Sequence, residues 1–525
     1  MERLNAAMTG KKDRPIRVVQ FGSGNFLRGF VDYMIDIANE KGLFDGDIVL
    51  LQPNSVGGTE KFREQDCQYT VSLRGIVDGE AVVMNRQITS VREILGCVGD
   101  YERYMALAEL DTLKFVVSNT TEAGIVFDPM DQFEAKPAKS FPGKLTQFLY
   151  RRYQVFGGAA DKGLVMLPAE LIDDNGAALK ACVDRLIDLW NLEDGFKRWV
   201  DEACVFTSTL VDRIVTGYPR DTEQEEWEKL GYEDRIMVTG EPFALWVIES
   251  EKDISGELPL DKAMADMPGM DVIYTDDHKP YKKRKVRILN GAHTSFVLAS
   301  FLCGNDTVLE SMKDEDVRGF LEKTLYDEVI PTLDLPKEEL IDFAKAVESR
   351  FENPYVKHAL LSISLNSVSK WRARCMPSLL AFVEERGELP AHLTFSLAAL
   401  MAFYSGRELR GGKLVGRREV TTSVTEFAHD SAKDKCDYRA GNDCVHHGEA
   451  AKQHEEYMIS DDASVLAFFA EHSADDTGMF VNACLAREDF WGQDLTKVEG
   501  LVEAVTAYLD DIRENGMRAA LCRIS

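Results

Sequence analysis

The feature that most limits how this 525-residue chain can fold is a change of hydrophobic period partway along it. In the first half, short apolar runs of strand length alternate with amphipathic stretches of helical length. The strand-like runs fall at 17–21 (RVVQF), 48–51, 115–117 and 164–167, and the helical patterns at 26–38, 144–153 and 177–192. Such alternation predicts a mostly parallel sheet with helices on both faces. Residues 69–86 interrupt it as a hairpin, with Asp78-Gly79 as the turn signal. From about residue 281 only the helical period remains, at 295–302, 317–326, 340–347, 356–365, 393–403, 465–470 and 501–512. The expectation is an α/β, doubly wound domain over 1–280 and an all-α domain over 281–525. A chain of this length exceeds what one core supports, in keeping with two domains. A polar stretch at 411–459 loses the period and reads as a solvated insertion.

Composition narrows the function classes. A net charge of −28, from 61 basic and 89 acidic side chains, argues against a nucleic-acid surface. No run of about 18 uncharged apolar residues exists, so no membrane span is expected. The first residues, MERLNAAMTGKKDRPIR, lack the apolar segment of a secretory signal. Ten cysteines without a C-x2-C pair fit a reducing cytoplasm. Cys436, Cys444, His446 and His447 lie together in the polar stretch, but their spacing matches no standard zinc module, and no metal is expected. The sequence leaves the oligomeric state open.

Directly after the first strand comes Gly22-Ser23-Gly24-Asn25-Phe26-Leu27-Arg28-Gly29. Glycines between a strand and a helix let the backbone approach a pyrophosphate at the helix N-terminus, which makes the first domain Rossmann-like. Gly22, Ser23, Gly24, Asn25 and Phe26 are the candidate contacts. The pattern departs from G-x-G-x-x-G, because Leu27 holds the third glycine position. At the end of the second strand Gln52 replaces the usual ribose-binding acid, and no base follows until Lys61. NAD is therefore expected rather than NADP. Ser118-Asn119-Thr120-Thr121-Glu122 follows the third strand, where loops of a parallel sheet bind ligands. Asn119, Thr121 and Glu122 are further cofactor candidates; the same segment also reads as a capping box for a following helix.

The chemistry concentrates in HKPYKKRKVRILNGAHT (278–294). It holds six Lys or Arg residues, no acid, and Lys285, Asn290 and His293 at K-x4-N-x2-H spacing. A lysine that gives a proton, an amide that holds an oxyanion and an imidazole are what reduction of a carbonyl needs. On an ideal α-helix Asn290 and His293 share a face, but Lys285 lies about 80° from His293 and about 140° from Asn290. The alternative for Lys285 is one more solvated lysine in a basic run. Arg372 and Arg374, in SVSKWRAR, are candidates for a substrate carboxylate or simply a positive helix end. Asp212-Arg213 reads as structural rather than as part of the site wall.

These segments resemble the mannitol dehydrogenase family of polyol-specific long-chain dehydrogenases. The resemblance runs through FGSGNFLRGFVDYMID (21–36), SNTTEAGI (118–125), LPAELIDDNG (167–176), STLVDRIVTGYPRD (208–221), the Lys-Asn-His box, 353–377 and 389–404. It implies a Rossmann-type domain, a helical domain and an active site in the cleft between them. It also implies reversible hydride transfer between NADH and the ketone of a keto-hexuronate of the tagaturonate type. Fructuronate or a neutral polyol is the alternative substrate, and a dinucleotide-binding regulator that has lost catalysis is the alternative class. By the same resemblance Lys285 is the general acid and base, Asn290 holds the oxyanion, His293 bonds substrate hydroxyls and Lys370 binds substrate. Glu170 stands where family mannitol dehydrogenases have a second oxyanion-hole Asn.

Overall fold

The computed structural model describes residues 1–53, 58–77, 79–121, 123–421 and 452–524. Asp78, Glu122, Cys436, Cys444, His446 and His447 therefore lie outside the described residues. The chain divides into two compact units, Met1–Lys282 and Lys283–Ser525.

The first unit is built on a six-stranded parallel sheet. Its strands are β1 (Ile16–Phe21), β2 (Asp47–Gln52), β3 (Val91–Gly96), β4 (Phe115–Ser118), β5 (Val165–Pro168) and β6 (Val205–Phe206), in the order β3-β2-β1-β4-β5-β6. Helix α1 (Asn25–Glu40) follows β1, while α2 (Phe141–Phe156) precedes β5 and α3 (Asn175–Leu189) follows it. Alternate residues of each strand face opposite cores. Val18, Ile48, Leu50 and Val117 pack with Phe30, Val31 and Met34 of α1. Val19, Phe21, Val49 and Val116 pack with Leu145, Phe148, Leu179 and Val183 of α2 and α3. Each such fully buried side chain contributes about 1.5–3 kcal/mol. The sheet is thus doubly wound, as the alternating pattern predicts. Strands β3 and β6 escape the sequence pattern: VREILG carries two charges, and β6 is two residues long.

Tyr69–Val77 and Glu80–Ile88 form the expected antiparallel hairpin. It belongs to a separate four-stranded sheet with Val215–Gly217 and Val238–Gly240. Gly29 of α1 lies against that sheet: an added Cβ would sit 3.2 Å from a Val238 methyl and 3.3 Å from a Val215 methyl. Arg213 is buried and donates to the carbonyls of Gly29, Pro242 and Phe243 at 2.6–2.9 Å, which makes it structural.

The second unit is mainly helical. Helix α4 (Gly291–Leu302) packs against Ala391–Phe403, and both are apolar around nearly their whole circumference, as centrally buried helices must be. The buried carboxylate of Glu328 accepts from the backbone N–H groups of His392 and Leu393, satisfying donors that start the latter helix. Two expectations need correction. Glu408–Arg410, Lys413–Thr421 and Lys452–Ile459 form a three-stranded antiparallel sheet, so the unit is not all-α and the polar stretch is partly ordered strand. Of 356–365, only Leu360–Ile363 is helical. Val308 donates to the His358 carbonyl and Leu360 to that of Asp306, so this segment bridges extended chain instead.

Gly176, the second residue of α3, has no room for a side chain, because a Cβ there would lie 2.1 Å from the Thr207 carbonyl oxygen. Gly176→Ala is expected to destabilise the first unit by about 1–3 kcal/mol through overpacking against backbone. A fall in the urea midpoint at unchanged slope is the measurement that checks this.

Candidate functional site

In the first unit, β1 and β4 are neighbours in the sheet, and the chain departs from their carboxyl ends in opposite directions. That is a topological switch point, where open α/β sheets bind ligands. Gly22 leaves β1 with φ +129, and its N–H donates to the Leu51 carbonyl at 2.9 Å. A Cβ on Gly22 would lie 3.2 Å from the Asn119 carbonyl oxygen and 3.2 Å from Leu27 Cδ1. Leu27 therefore packs onto the glycine corner, and Gly29 makes the close helix–sheet contact that the motif's third glycine serves elsewhere. Gly24 is the N-cap of α1 with no side-chain cap, and nothing approaches the space beside its Cα. Four N–H groups at the start of a 16-residue helix thus face outward at the corner, with the positive end of the helix dipole behind them.

Below them Arg28 is buried and donates to the Ser23 carbonyl, to Asn25 Oδ1 at 2.7 Å and to the Ile236 carbonyl, bracing the first turn from inside. Phe26 stacks on Phe30 with centroids 5.0 Å apart. Gln52 closes β2, and its Oε1 is buried without a hydrogen-bond partner among the described residues. An orphaned acceptor at the position that normally meets a ribose hydroxyl, an uncapped helix and a glycine corner together fit a dinucleotide.

The loop after β4 is held by Glu170. Its Oε1 accepts from the Thr120 N–H and hydroxyl at 3.0 Å each, and its Oε2 from Ser118 Oγ at 3.0 Å. Burial pushes this carboxyl above its ordinary range, opposed by those hydrogen bonds. Asn119 donates from its N–H to the Phe21 carbonyl and from Nδ2 to the Ala169 carbonyl. Thr121 has φ +92, in the region glycine favours, so the loop ends on a strained residue beside the switch point. Among the described residues no helix starts between β4 and α2, and Glu122, the acid of the capping box read at 118–122, lies outside them. Asn175 ties the β5 end together, donating from Nδ2 to the carbonyls of Pro168, Glu170 and Thr209.

In the second unit, Lys285–Asn290 is a π-helix that runs directly into α4. Its hydrogen bonding is i→i+5: the Gly291 N–H reaches the Val286 carbonyl. Five residues here take the place that four take in an α-turn, so Lys285 and Asn290 come onto nearly one face. The 140° separation of the ideal helix is removed, and the sequence gives no sign of this. Gly291 is where helix α5 (Ser367–Arg374) crosses: a Cβ would lie 3.3 Å from the Arg374 carbonyl oxygen. That approach brings Arg374 Nη1 to Thr294 Oγ1 at 3.3 Å, one residue from His293.

The imidazole of His293 packs 4.2 Å from the Phe351 ring and 5.2 Å from the His358 ring, centroid to centroid, and its Nε2 is buried without a partner among the described residues. Burial first, then His358, Arg350 and Arg374, hold its pKa well below that of a free histidine, so it is neutral at pH 7. Lys370 donates to the Ile363 carbonyl at 2.8 Å, and burial, then Arg374, lowers its pKa against the pull of Asp461. Arg287 is half-buried, and its Nη1 has no hydrogen-bond partner among the described residues.

Lys370 and Arg374, four apart, share a face of α5. Arg372 points elsewhere: it is exposed and lies against Gly492. The structure therefore gathers Lys370 and Arg374 but not Arg372. It adds His358 and Arg350, which the sequence pattern misses because the bridged segment around 358 reads as helix.

A parallel sheet with a glycine corner at its switch point, joined to a helical unit carrying a Lys-Asn-His face, defines a dinucleotide-binding two-domain protein. The chain belongs to the mannitol dehydrogenase family: residues 16–262 match the mannitol dehydrogenase Rossmann domain and 277–437 the mannitol dehydrogenase C-terminal domain. It is 43% identical over 522 residues to altronate oxidoreductase of Escherichia coli O139:H28, covering 99% of each chain. The same identity holds over 528 residues, 99% of each chain, for altronate oxidoreductase of Klebsiella pneumoniae strain 342. Among solved structures, a substrate-free D-sorbitol dehydrogenase matches with TM-score 0.74 at 19% identity, covering 99% of this chain and 100% of that one. Pseudomonas fluorescens mannitol 2-dehydrogenase, in a ternary complex with NAD and D-mannitol, matches with TM-score 0.63 at 19% identity, covering 100% and 99%. At that identity the two structures speak for the fold.

Two predictions follow from the site's chemistry. Glu170→Ala leaves three donors on the β4 loop without their acceptor; a loss of about 1–3 kcal/mol is expected, together with weaker NADH binding. Glu170→Gln keeps an acceptor and is expected to restore most of both, read by thermal melting and by NADH fluorescence titration. His293 and His358 both have pKa values lowered chiefly by burial. Unfolding lets them take up protons near pH 6.5, so stability is full above that pH and lost as pH falls below it. In His358→Gln the urea midpoint is expected to fall less between pH 7.5 and 5 than in the parent chain.

Proposed function

We propose that the chain is an NAD-dependent oxidoreductase that interconverts tagaturonate and altronate. The observation that carries this is the pair of cations acting on His293, Arg350 and Arg374, with Lys370 beside Arg374 on α5. An acid substrate requires such charge, and a neutral polyol does not. Full-length similarity to altronate oxidoreductases points the same way.

The residues that fit NAD are Gly22, Ser23, Gly24, Asn25 and Phe26 at the α1 N-terminus, Gln52 at the end of β2, and Asn119 and Thr121 in the loop that Glu170 holds. Glu122, outside the described residues, completes the set from sequence. The chemistry NAD(H) brings when bound is hydride exchange at the carbonyl carbon. In the direction of reduction, the Lys285 ammonium gives its proton to the oxygen that becomes alkoxide, and in oxidation the neutral amine takes it back. The Asn290 amide donates to the same oxygen as charge develops. Neutral His293, with Nε2 uncommitted, bonds a substrate hydroxyl. Lys370 and Arg374 receive the carboxylate by charge-assisted hydrogen bonds.

Glu170 is assigned to holding the cofactor loop rather than to an oxyanion hole, since both its oxygens already accept. Among the described residues no helix is long and apolar enough to cross a membrane. The described cysteines are unpaired, which supports a cytoplasmic enzyme.

NADH oxidation with tagaturonate, fructuronate and fructose in parallel tests the assignment. Tagaturonate is expected to give the highest kcat/KM, and a preference for fructose would overturn it. Lys285→Ala is expected to lower kcat at least about a hundredfold with NADH affinity little changed. Arg374→Ala and Lys370→Ala are each expected to raise KM for the keto-acid about ten- to a hundredfold, whereas Arg372→Ala leaves it near the parent value. Equal losses in all three variants would show that α5 acts only as structure.

A further inference from the structure

Helix α5 carries Lys370 and Arg374 but supplies no cap of its own. Its N-cap residue, Asn366, sits at φ +53, and the Asn366 side chain makes no capping hydrogen bond. The donors at the helix start are met instead from two places far along the chain. The Asn366 N–H donates to the Ser460 carbonyl at 3.1 Å, the Ser367 N–H to the Tyr404 hydroxyl at 3.2 Å and the Val368 N–H to Asp461 Oδ2 at 3.3 Å. Tyr404 in turn donates its hydroxyl proton to the same Asp461 oxygen at 2.5 Å, and Asp461 Oδ1 accepts from the Asp462 N–H at 2.8 Å. Burial, then Asp461, holds the Tyr404 phenol well above its ordinary range, so it stays a donor. Three successive N–H groups are thus fixed by one tyrosine–aspartate pair and one carbonyl, in place of the usual local side-chain cap.

The same two residues are the root of the three-stranded sheet. Tyr404 directly follows the helix Ala391–Phe403 and precedes the strand Glu408–Arg410, and Asp461 comes shortly after Lys452–Ile459. Tyr457 ties the returning strand to that helix by donating to the Phe403 carbonyl at 2.7 Å. The sheet is therefore anchored on the helix that bears two of the cations assigned to the substrate.

Asp461 also acts on a side chain of α5. Lys370 is half-buried; burial and Arg374 disfavour its charged form, whereas Asp461 favours it. The elements packed against α5 carry other charges: Lys285 and Arg287 on the π-turn, His293 on α4, Glu384, Glu385 and Arg386 on Met376–Arg386, and Glu488 and Asp489 on Glu488–Trp491. Among the described residues only Arg374 and Asp461 act on the Lys370 ammonium, so one carboxylate offsets both the burial and the neighbouring guanidinium.

We propose that Asp461, seated by Tyr404, is a positioning residue for the substrate: it fixes the start of α5 and keeps the Lys370 ammonium charged for a carboxylate. The proposal rests on the reading of Lys370 given above, and Asp461 acts through Lys370 rather than on the reacting atoms.

The test compares the parent chain with Asp461→Asn, Asp461→Ala, Lys370→Ala and the double variant Lys370→Ala/Asp461→Asn. Steady-state kinetics with tagaturonate are followed from about pH 6 to about pH 9.5, beside NADH titration and thermal melting. Asp461→Asn keeps an acceptor for Val368 and Tyr404 and is expected to melt near the parent. Without the carboxylate Lys370 loses its proton at lower pH, so KM is expected to climb with pH sooner than in the parent. At the alkaline end it is expected to stand about three- to tenfold above the parent value, with kcat and NADH affinity little changed. Asp461→Ala, which also loses the acceptor, is expected to raise KM at every pH. In the Lys370→Ala background Asp461→Asn is expected to change KM no further. Either Asp461 variant with the parent's KM at every pH overturns the proposal. So does a joint loss of KM, kcat and NADH affinity in Asp461→Asn, or an effect on KM that persists without Lys370. A Lys370→Ala variant with the parent's KM removes the substrate reading itself, and the proposal with it.

Discussion

The arrangement at the nucleotide end depends on how closely two neighbouring strands of one sheet can release their chains in opposite directions. At the ends of β1 and β4 the backbone of Gly22 comes within van der Waals reach of the Asn119 carbonyl, at a dihedral an L side chain resists. Everything nearby preserves that approach. Leu27 fills the volume beside the glycine, and Arg28 braces the helix turn from beneath. Glu170 fixes the opposite lip by giving up both of its oxygens. A buried carboxylate spent in this way costs desolvation, which three directed hydrogen bonds offset. The result is a helix start with no side-chain cap and, among the described residues, open space beside Gly24.

The second unit applies a different constraint to a similar end. Its charged side chains would repel one another if gathered on a regular helix, and here they come from three separated elements: the π-turn and α4, the helix Lys337–Phe351 carrying Arg350, and α5. Phe351 and the buried wall hold His293 neutral, which keeps one uncharged donor or acceptor among the cations. Gly291 sets the spacing, since a side chain there would push α5 away and carry Arg374 with it.

Much of this is legible in the amino-acid order, for identifiable reasons. The doubly wound sheet follows from alternation of β1, α1, β2, β4 and β5, whose residues are almost all buried and therefore strongly patterned. Strands β3 and β6 are not legible, one for its charges and the other for its brevity. The three-stranded sheet of the second unit hides because Lys413–Thr421 and Lys452–Ile459 are rich in polar residues, paired through Arg417, Arg418, Glu455 and Glu456. At the site, the identity of Lys285, Asn290 and His293 is written in their spacing, but their convergence is not. Long-range neighbours such as His358 and Arg350 carry no local signal, because packing between distant segments places them.

The π-turn has a consequence for how this segment can vary. A single wide turn between two α-helical segments behaves as one residue inserted into an otherwise regular helix. If the turn closed to α spacing with all six residues kept, everything N-terminal of it would swing by about 100° relative to α4, whereas deleting one residue between Lys285 and Asn290 would let it close without that swing. In the first case Lys285 would leave the face of Asn290 without itself having been replaced; in the second the two would become an i,i+4 pair and share it. It is the pairing of this six-residue length with the wide turn that keeps the two side chains together. Substitutions within the segment test individual side chains, whereas a one-residue deletion removes the wide turn and leaves the shared face.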